Sequence, residues 1–249
     1  FNILNLTDLA GNINASNITA ITDGENIKHD KIPPVISNVT FTSNNQDPTL
    51  AKPNDVVTLK FDTDGTESGD TNVTIAGHNV LASKEANTNH YTAKYTLDGN
   101  TSNGKIAYDF NGIMDEAGNI GVPSTPNNDI IFFNATSPTF TDIKLSATNN
   151  IGIHTTYPHV SDTINLTFTS SEDLAPNQFV TINGHYCEIT TDSEKKYSAR
   201  YVLTQSDTDI AFNISSLLDA AGNKSAIYTT TTDGSYLILD KTSPTITIS

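Results

Sequence analysis

The pentapeptide Asp-x-Ala-Gly-Asn occurs three times in this chain, as "DLAGN" (8–12), "DEAGN" (115–119) and "DAAGN" (219–223). The copies recur at about the spacing of one small domain, and a motif with a fixed period predicts tandem repeats. Glycine at the fourth position suits a turn with positive φ, and the aspartate can accept backbone N–H groups within that turn. The motif therefore predicts the same corner in successive repeats.

Segments on either side of the motif align between repeats and alternate apolar with polar residues. The aligned pairs are "DVVTLKFDT" (55–63) with "DTINLTFTS" (162–170), "NVTIAGH" (72–78) with "FVTINGH" (179–185), and "HYTAKYTL" (90–97) with "KYSARYVL" (196–203). A period of two, with Val57, Leu59 and Phe61 on one face, predicts half-buried β-strands. Further strands are predicted at 105–110, 129–133, 209–214 and 236–240. About seven short strands per repeat predict an all-β fold of two-sheet sandwiches.

Segments containing proline separate the repeats. "DKIPP" (30–34), "NATSP" (134–138) and "DKTSP" (240–244) each follow the last predicted strand, where proline excludes helix and keeps the connection extended. The predicted divisions are 1–33, the last two strands of a truncated repeat; 34–137, the first repeat; 138–243, the second repeat; and 244–249, the first strand of a following repeat. Linkers this short predict a semi-rigid rod.

Five features together resemble a known family. They are the proline-led first strand, the Val-Thr-Ile-x-Gly strand, the Tyr-x-Ala-x-Tyr strand, the Asp-x-Ala-Gly-Asn corner and the Asp-Lys-Thr-Ser-Pro linker. They resemble the bacterial immunoglobulin-like repeats of large adhesins and surface-layer proteins, and the resemblance spans nearly the whole chain. It implies tandem immunoglobulin-like β-sandwiches at the cell surface, and it implies no catalytic residues.

Composition excludes several classes of function. The chain carries 28 acidic against 13 basic residues, so a nucleic-acid backbone or an anionic lipid surface would be repelled. The single cysteine, Cys187, excludes an intrachain disulfide, and no apolar run is long enough for direct membrane insertion. No nucleophile elbow, zinc-protease helix, phosphate loop or dinucleotide fingerprint occurs. The chain is therefore predicted not to be an enzyme.

Acidic residues are predicted to gather at the end of each repeat that faces the preceding linker. They are Asp30, Asp62, Asp64, Asp70, Asp115 and Glu116 in the first repeat, and Glu172, Asp173 and Asp219 in the second, where the linker residue Asn134, a weaker ligand, takes the place of Asp30. Clustered carboxylates are the ligands that Ca²⁺ requires, and a bound ion would stiffen the joint. The spacing departs from the Asp-x-Asp-x-Asp-Gly calcium loop, because residue 66 is threonine. Two interpretations stay open, a calcium site and solvated acidic loops.

The sequence bears on sugars in two respects, as attached glycans and as bound ligands. Asn38, Asn72 and Asn165 lie in Asn-x-Ser/Thr sequons and are candidates for N-glycosylation. Glycan binding is the alternative to a structural role, but the chain has no tryptophan, and most tyrosines are predicted to face the core. Tyr157, in the segment "TTYPH", is the aromatic residue predicted to be exposed.

The sequence thus predicts a non-enzymatic, extracellular structural segment of a surface layer or an adhesin stalk. The alternative is a ligand-binding adhesion module for glycans or a cell-surface partner, with or without calcium. The predicted partners are adjacent repeats or neighbouring copies of the chain. Either the chain is a window from a longer repeat protein, or its end strands are completed by strand addition from a neighbour.

Overall fold

Strands, turns and irregular segments make up the part of the chain that the computed structural model describes. That part comprises residues 7–13, 30–64, 70–110, 112–123, 129–149 and 153–247, and none of these residues is helical. The prediction of an all-β fold is therefore confirmed. Within the described residues no helix is long and apolar enough to cross a membrane.

The first repeat contributes ten strands to two sheets. They are β1 (Val35–Ser43), β2 (Leu50–Ala51), β3 (Val56–Thr63), β4 (Thr71–Ile75), β5 (His78–Lys84), β6 (His90–Thr96), β7 (Gly104–Lys105), β8 (Tyr108–Asp109), β9 (Val122–Pro123) and β10 (Phe132–Phe133). Seven of them form a curled sheet in the order β8-β4-β5-β6-β3-β1-β9. The other three form a small sheet in the order β2-β10-β7.

The second repeat contributes eight strands to two further sheets. They are β11 (Phe140–Thr148), β12 (His154–Thr155), β13 (Thr163–Ser170), β14 (Phe179–Ile182), β15 (His185–Glu188), β16 (Thr190–Ser193), β17 (Lys196–Val202) and β18 (Phe212–Asn213). The sheet orders are β12-β11-β13-β17-β16 and β15-β14-β18. The segment 236–240, predicted as a strand, forms no regular strand. The N–H groups of Ile238 and Asp240 bind the carbonyls of Thr156 and Pro158.

One strand explains why the sheets of the two repeats differ. In the first repeat β5 is continuous and pairs with both β4 and β6, so it joins them into one curled sheet. In the second repeat the aligned segment is interrupted at Ile189, whose N–H bonds to the carbonyl of Gln178. The part before the interruption pairs with β14 and the part after it with β17, so the two sheets stay separate.

The alternating strands bury the faces that the sequence predicts. Val57, Leu59 and Phe61 are at most 1% exposed, and the aligned Ile164, Leu166 and Phe168 are at most 2% exposed. The buried residues form two hydrophobic clusters, one drawn from residues 36–133 and the other from residues 140–217. These two ranges fall inside the predicted repeats 34–137 and 138–243, so each cluster lies within one predicted repeat.

The predicted partial repeats at the two ends are described only in part. Residues 7–13 form a turn closed by a bridge between Thr7 and Ile13, and residues 1–6 and 14–29 lie outside the described part. At the other end, residues 244–247 carry no strand assignment, and 248–249 lie outside the described part. The division into domains therefore stays a prediction.

Two hydrophobic clusters predict two unfolding transitions. Leu59→Ala and Leu166→Ala each remove a fully buried side chain, which costs about 2–5 kcal/mol. Calorimetry should resolve two transitions, of which Leu59→Ala lowers one and Leu166→Ala the other. A single transition that both substitutions lower equally would show that the two clusters unfold as one unit.

Candidate functional site: the joint between the two repeats

The Asp-x-Ala-Gly-Asn motif forms a turn that its own side chains close. In the second copy, Oδ1 of Asp115 accepts the N–H groups of Ala117 and Asn119 at 2.9 Å each, and Oδ2 accepts the amide of Asn119 at 2.8 Å. These hydrogen bonds, led by that from the Asn119 side chain, lower the pKa of Asp115. Gly118 has φ +86°, which explains the glycine. The predicted corner is therefore present.

The same turn occurs in all three copies, but its surroundings differ. Asp8 accepts the same three hydrogen bonds from Ala10 and Asn12, at 2.7–2.9 Å. In the third copy Asp219 is only 2% exposed and Asn223 only 8% exposed. The third turn is buried because the linker and the first repeat cover it, as the following contacts show.

The corner asparagine also binds the linker that enters its repeat. One N–H of the Asn223 side chain binds Oδ2 of Asp219 at 2.8 Å, and the other binds the carbonyl of Asn134 at 2.9 Å. Asn119 does the same with Asp115 and with the carbonyl of Asp30, the latter at 3.3 Å. Asp30 and Asn134 hold equivalent positions in their linkers, so both corner asparagines bind the carbonyl of the equivalent linker residue.

The side chain of Asn134 links two carboxylates of the second repeat. Its Nδ2 lies 2.7 Å from Oε2 of Glu172 and 2.9 Å from Oδ2 of Asp219. Its Oδ1 accepts the N–H of Thr136, so the linker turns upon itself. An amide between two carboxylates donates a hydrogen bond to each and so offsets their repulsion. A bound cation would do the same through its positive charge, which the amide lacks. The other oxygen of Glu172 is buried without a partner among the described residues.

The first repeat holds the linker from the opposite side. Asn103 accepts the N–H of Ala135 and donates its amide to Oγ1 of Thr136, both at 2.8 Å. The N–H of Asn134 binds the carbonyl of Ala51 at 2.9 Å. The linker is therefore hydrogen-bonded to both repeats.

A direct contact between the repeats lies beside the linker. Nδ2 of Asn45 donates to the carbonyl of Ala221, in the third corner, and to Oδ2 of Asp55. Asp55 is 7% exposed and also accepts the Lys52 ammonium at 3.1 Å. Burial raises the pKa of Asp55, but the hydrogen bonds from Asn45 and Lys52 outweigh burial and lower it. The side chains of Asn45, Lys52 and Asp55 are thus hydrogen-bonded at the place where the first repeat meets the third corner.

The candidate calcium ligands of the first repeat lie in separate contacts. Asp62 binds Asn38 and His90, Asp64 accepts the N–H of Val35, Asp70 accepts the N–H of Lys84, and Asp115 closes its own turn. Asp30 accepts the N–H of Ile32, and Glu116 is exposed. Residues 65–69, between Asp64 and Asp70, lie outside the described part.

The candidate ligands of the second repeat divide in the same manner. Glu172 and Asp219 share the amide of Asn134, whereas Asp173 is exposed on the surface. Among the described residues, no three histidine, cysteine or carboxylate side chains form a group suited to a metal ion. Calcium binding stays a prediction for both repeats.

The other candidate residues are placed as follows. The amide nitrogen of Asn38, which would carry a glycan, donates to Asp62 at 2.7 Å. Asn72 is exposed, and Asn165 is half-buried with its amide 3.4 Å from Oγ1 of Thr148. Tyr157 is 61% exposed, as the sequence predicts. Cys187 is buried, and burial raises the pKa of its thiol.

Most residues that join the repeats could not be predicted from the sequence. Asn103, Asn45 and the linker-binding role of Asn223 have no signal in a single sequence, because asparagine is abundant and its partners are distant in the chain. Asn134 differs, because it stands where the other two linkers have Asp30 and Asp240, and the sequence places it with Glu172 and Asp219, which it does contact.

Comparison with known proteins gives no family assignment. No protein-family model matches the sequence, and no curated protein is significantly similar to it.

Substitution of Asn134 should destabilise the joint. Asn134→Ala removes two hydrogen bonds to carboxylates and should lower the free energy of unfolding of the second repeat by roughly 2 kcal/mol. Asn134→Asp should cost more, because it places a third carboxylate beside the buried Asp219. Chemical denaturation measures both effects. Asn79→Ala, at an exposed asparagine outside the joint, is the matched control, and equal stability of all three variants would contradict the role of Asn134.

A second prediction concerns Asp62 and His90. The hydrogen bond and charge of Asp62 raise the pKa of His90. Burial raises the pKa of Asp62, but hydrogen bonds from Asn38 and His90 outweigh it and lower the pKa. A raised histidine pKa stabilises the fold below the ordinary histidine value and ceases to do so as the pH rises through the raised value. Because the pKa of Asp62 is lowered, its ionised carboxylate stabilises the fold at pH values above the ordinary aspartate pKa. That stabilisation is lost as the pH falls through the lowered pKa.

NMR titration tests this pair directly. The pKa of His90 should lie above its ordinary value of about 6.5 and should return toward it in Asp62→Asn. Asp70→Asn, at an acidic residue that contacts Lys84 instead, should leave the pKa of His90 unchanged. An unshifted His90 in the wild-type chain would disprove the interaction.

Proposed function

We propose that this chain is a non-enzymatic structural segment of an extracellular surface protein, in which tandem immunoglobulin-like sandwiches form a semi-rigid rod. The observation that carries the proposal is the joint. The linker 134–138 is hydrogen-bonded to Asn103 and Ala51 of the first repeat and to Glu172, Asp219 and Asn223 of the second. A linker held on both sides keeps the two repeats in a fixed relation, which a spacer requires.

The immunoglobulin-like assignment is supported by the pattern of sheets and cores. Each repeat has its own hydrophobic cluster, to which both its larger sheet and its three-stranded sheet contribute buried residues. The first strand of each repeat carries a bulge at the same place, between Ser37 and Thr40 in β1 and between Thr141 and Lys144 in β11. The resemblance to bacterial immunoglobulin-like repeats rests on this regularity and on the shared sequence motifs.

The proposed surface location and non-catalytic role are supported by the composition and by the repeated positions of the acidic residues. The net charge of −15 keeps long arrays of repeats soluble and separated. Seven of the nine candidate acids, all but Glu116 and Asp173, accept a backbone or side-chain hydrogen bond in the described part of the chain. Surface-layer lattice and adhesin stalk are both consistent with this role.

Force spectroscopy tests the rod. When a single chain is pulled from its ends, each repeat should unfold in its own event and release about 35 nm, the contour length of about 100 residues at about 3.5 Å each. Wild-type chains should also give a narrow distance distribution between spin labels attached at Lys94→Cys and Lys196→Cys, measured by electron–electron double resonance.

The joint variants provide the control for this experiment. Asn134→Ala should broaden the label distances, and Asn79→Ala should not. One continuous extension without discrete events, or label distances as broad in wild type as in Asn134→Ala, would rule out a rigid rod.

A further inference from the structure

The outer face of one small sheet carries two exposed aromatic side chains. In β14 and β15, Val180, Ile182 and Cys187 point into the core. The alternate residues point outward, and among them Tyr186 is 83% exposed and Phe179 is 48% exposed. We call this surface the aromatic face; its residues are Phe179, Thr181, Tyr186, Glu188 and Asn213.

Strand register defines how these residues are arranged. Phe179 lies opposite Glu188, and Thr181 lies between Tyr186 on one side and Asn213 on the other. Phe179 and Tyr186 are therefore diagonal neighbours on one face, a relation in which Cα atoms lie about 7–8 Å apart. The hydroxyl of Thr181 and the carboxylate of Glu188 border the rings.

The first repeat shows that the fold does not require these aromatic residues. Its aligned hairpin has the same turn, with φ +79° at both Gly77 and Gly184. Asn72 and Asn79 stand there in place of Phe179 and Tyr186, and the hairpin pairs in the same register. The matching face of the first repeat exposes one apolar side chain, Leu81 opposite Asn72, but no aromatic ring, so the fold does not require the exposed Phe179 and Tyr186.

From this arrangement we propose that the aromatic face binds neutral oligosaccharides. The apolar C–H face of a pyranose ring stacks on an exposed aromatic ring, whose face is electron-rich. Thr181 and Glu188 supply a hydroxyl and a carboxylate for the sugar hydroxyl groups. Two rings at neighbouring positions bind consecutive sugars of a chain more tightly than a monosaccharide.

Charge decides which sugars bind. Glu188 lies on the face itself, and the chain as a whole carries a net charge of −15, so sialylated, sulfated or uronic glycans are repelled. A protein partner fits less well, because a stable interface buries about 800 Å² on each side. The apolar part of this face consists of two side chains bordered by polar residues. This activity goes beyond a spacer role and does not depend on it.

Binding is tested on the whole chain with an array of immobilised oligosaccharides. The array carries neutral hexose and N-acetylhexosamine oligomers and, as separate arms, sialylated and sulfated glycans. Neutral oligomers should bind, and titration calorimetry with the best of them should show about a tenfold weaker affinity in Tyr186→Asn and in Phe179→Asn. Both substitutions copy the first repeat, so the fold and the melting temperature should be unchanged.

Asn79→Ala, at the matching exposed position of the first repeat, should leave binding unchanged. Three outcomes would overturn the proposal: no neutral oligosaccharide binds, anionic glycans bind better than neutral ones, or Tyr186→Asn and Phe179→Asn bind as the wild type does. None of these outcomes alters the force or distance measurements on the joint, so failure here is distinct from failure of the rod.

Discussion

The carboxylate of the corner aspartate organises the joint. In each turn it accepts the backbone N–H and the side-chain amide of the corner asparagine, which fixes the orientation of that side chain. The second N–H of the asparagine then points at the linker carbonyl, in both corners whose linker is described. A local turn thereby sets the direction in which one repeat follows another.

Asparagine rather than aspartate at position 134 follows from the cost of burying charge. Asp219 is almost completely buried, and Glu172 lies on the other side of the linker residue. A third carboxylate would meet two others in a region of low dielectric constant, where repulsion is strong. An amide donates to both and carries no charge. Asp30, by contrast, is exposed, so a carboxylate costs little there.

Local pattern predicted the strands well and the joint poorly. Alternation identified β3, β6, β13 and β17 to within one residue, because each buries one face against a core. The predicted strands at 105–110 and 209–214 are reduced to two-residue strands in the structure. Continuity of β5 and interruption at Ile189 depend on packing between sheets, which alternation does not encode. The sequence places Asn134 with Glu172 and Asp219, but it carries no sign of the contacts of Asn45 and Asn103, whose partners are distant in the chain.

The excess of acid over base is accommodated by hydrogen bonds more than by ion pairs. Three ion pairs are seen in which both residues belong to the described part of the chain, and two of them use histidine. Asp8, Asp47 and Asp115 instead have lowered pKa values, led in each case by a hydrogen bond from a nearby side chain. Salt screens exposed ion pairs, whereas these contacts lie within single turns and need no cationic partner. Short asparagine and threonine side chains therefore close these turns and stabilise their carboxylates without a cationic partner.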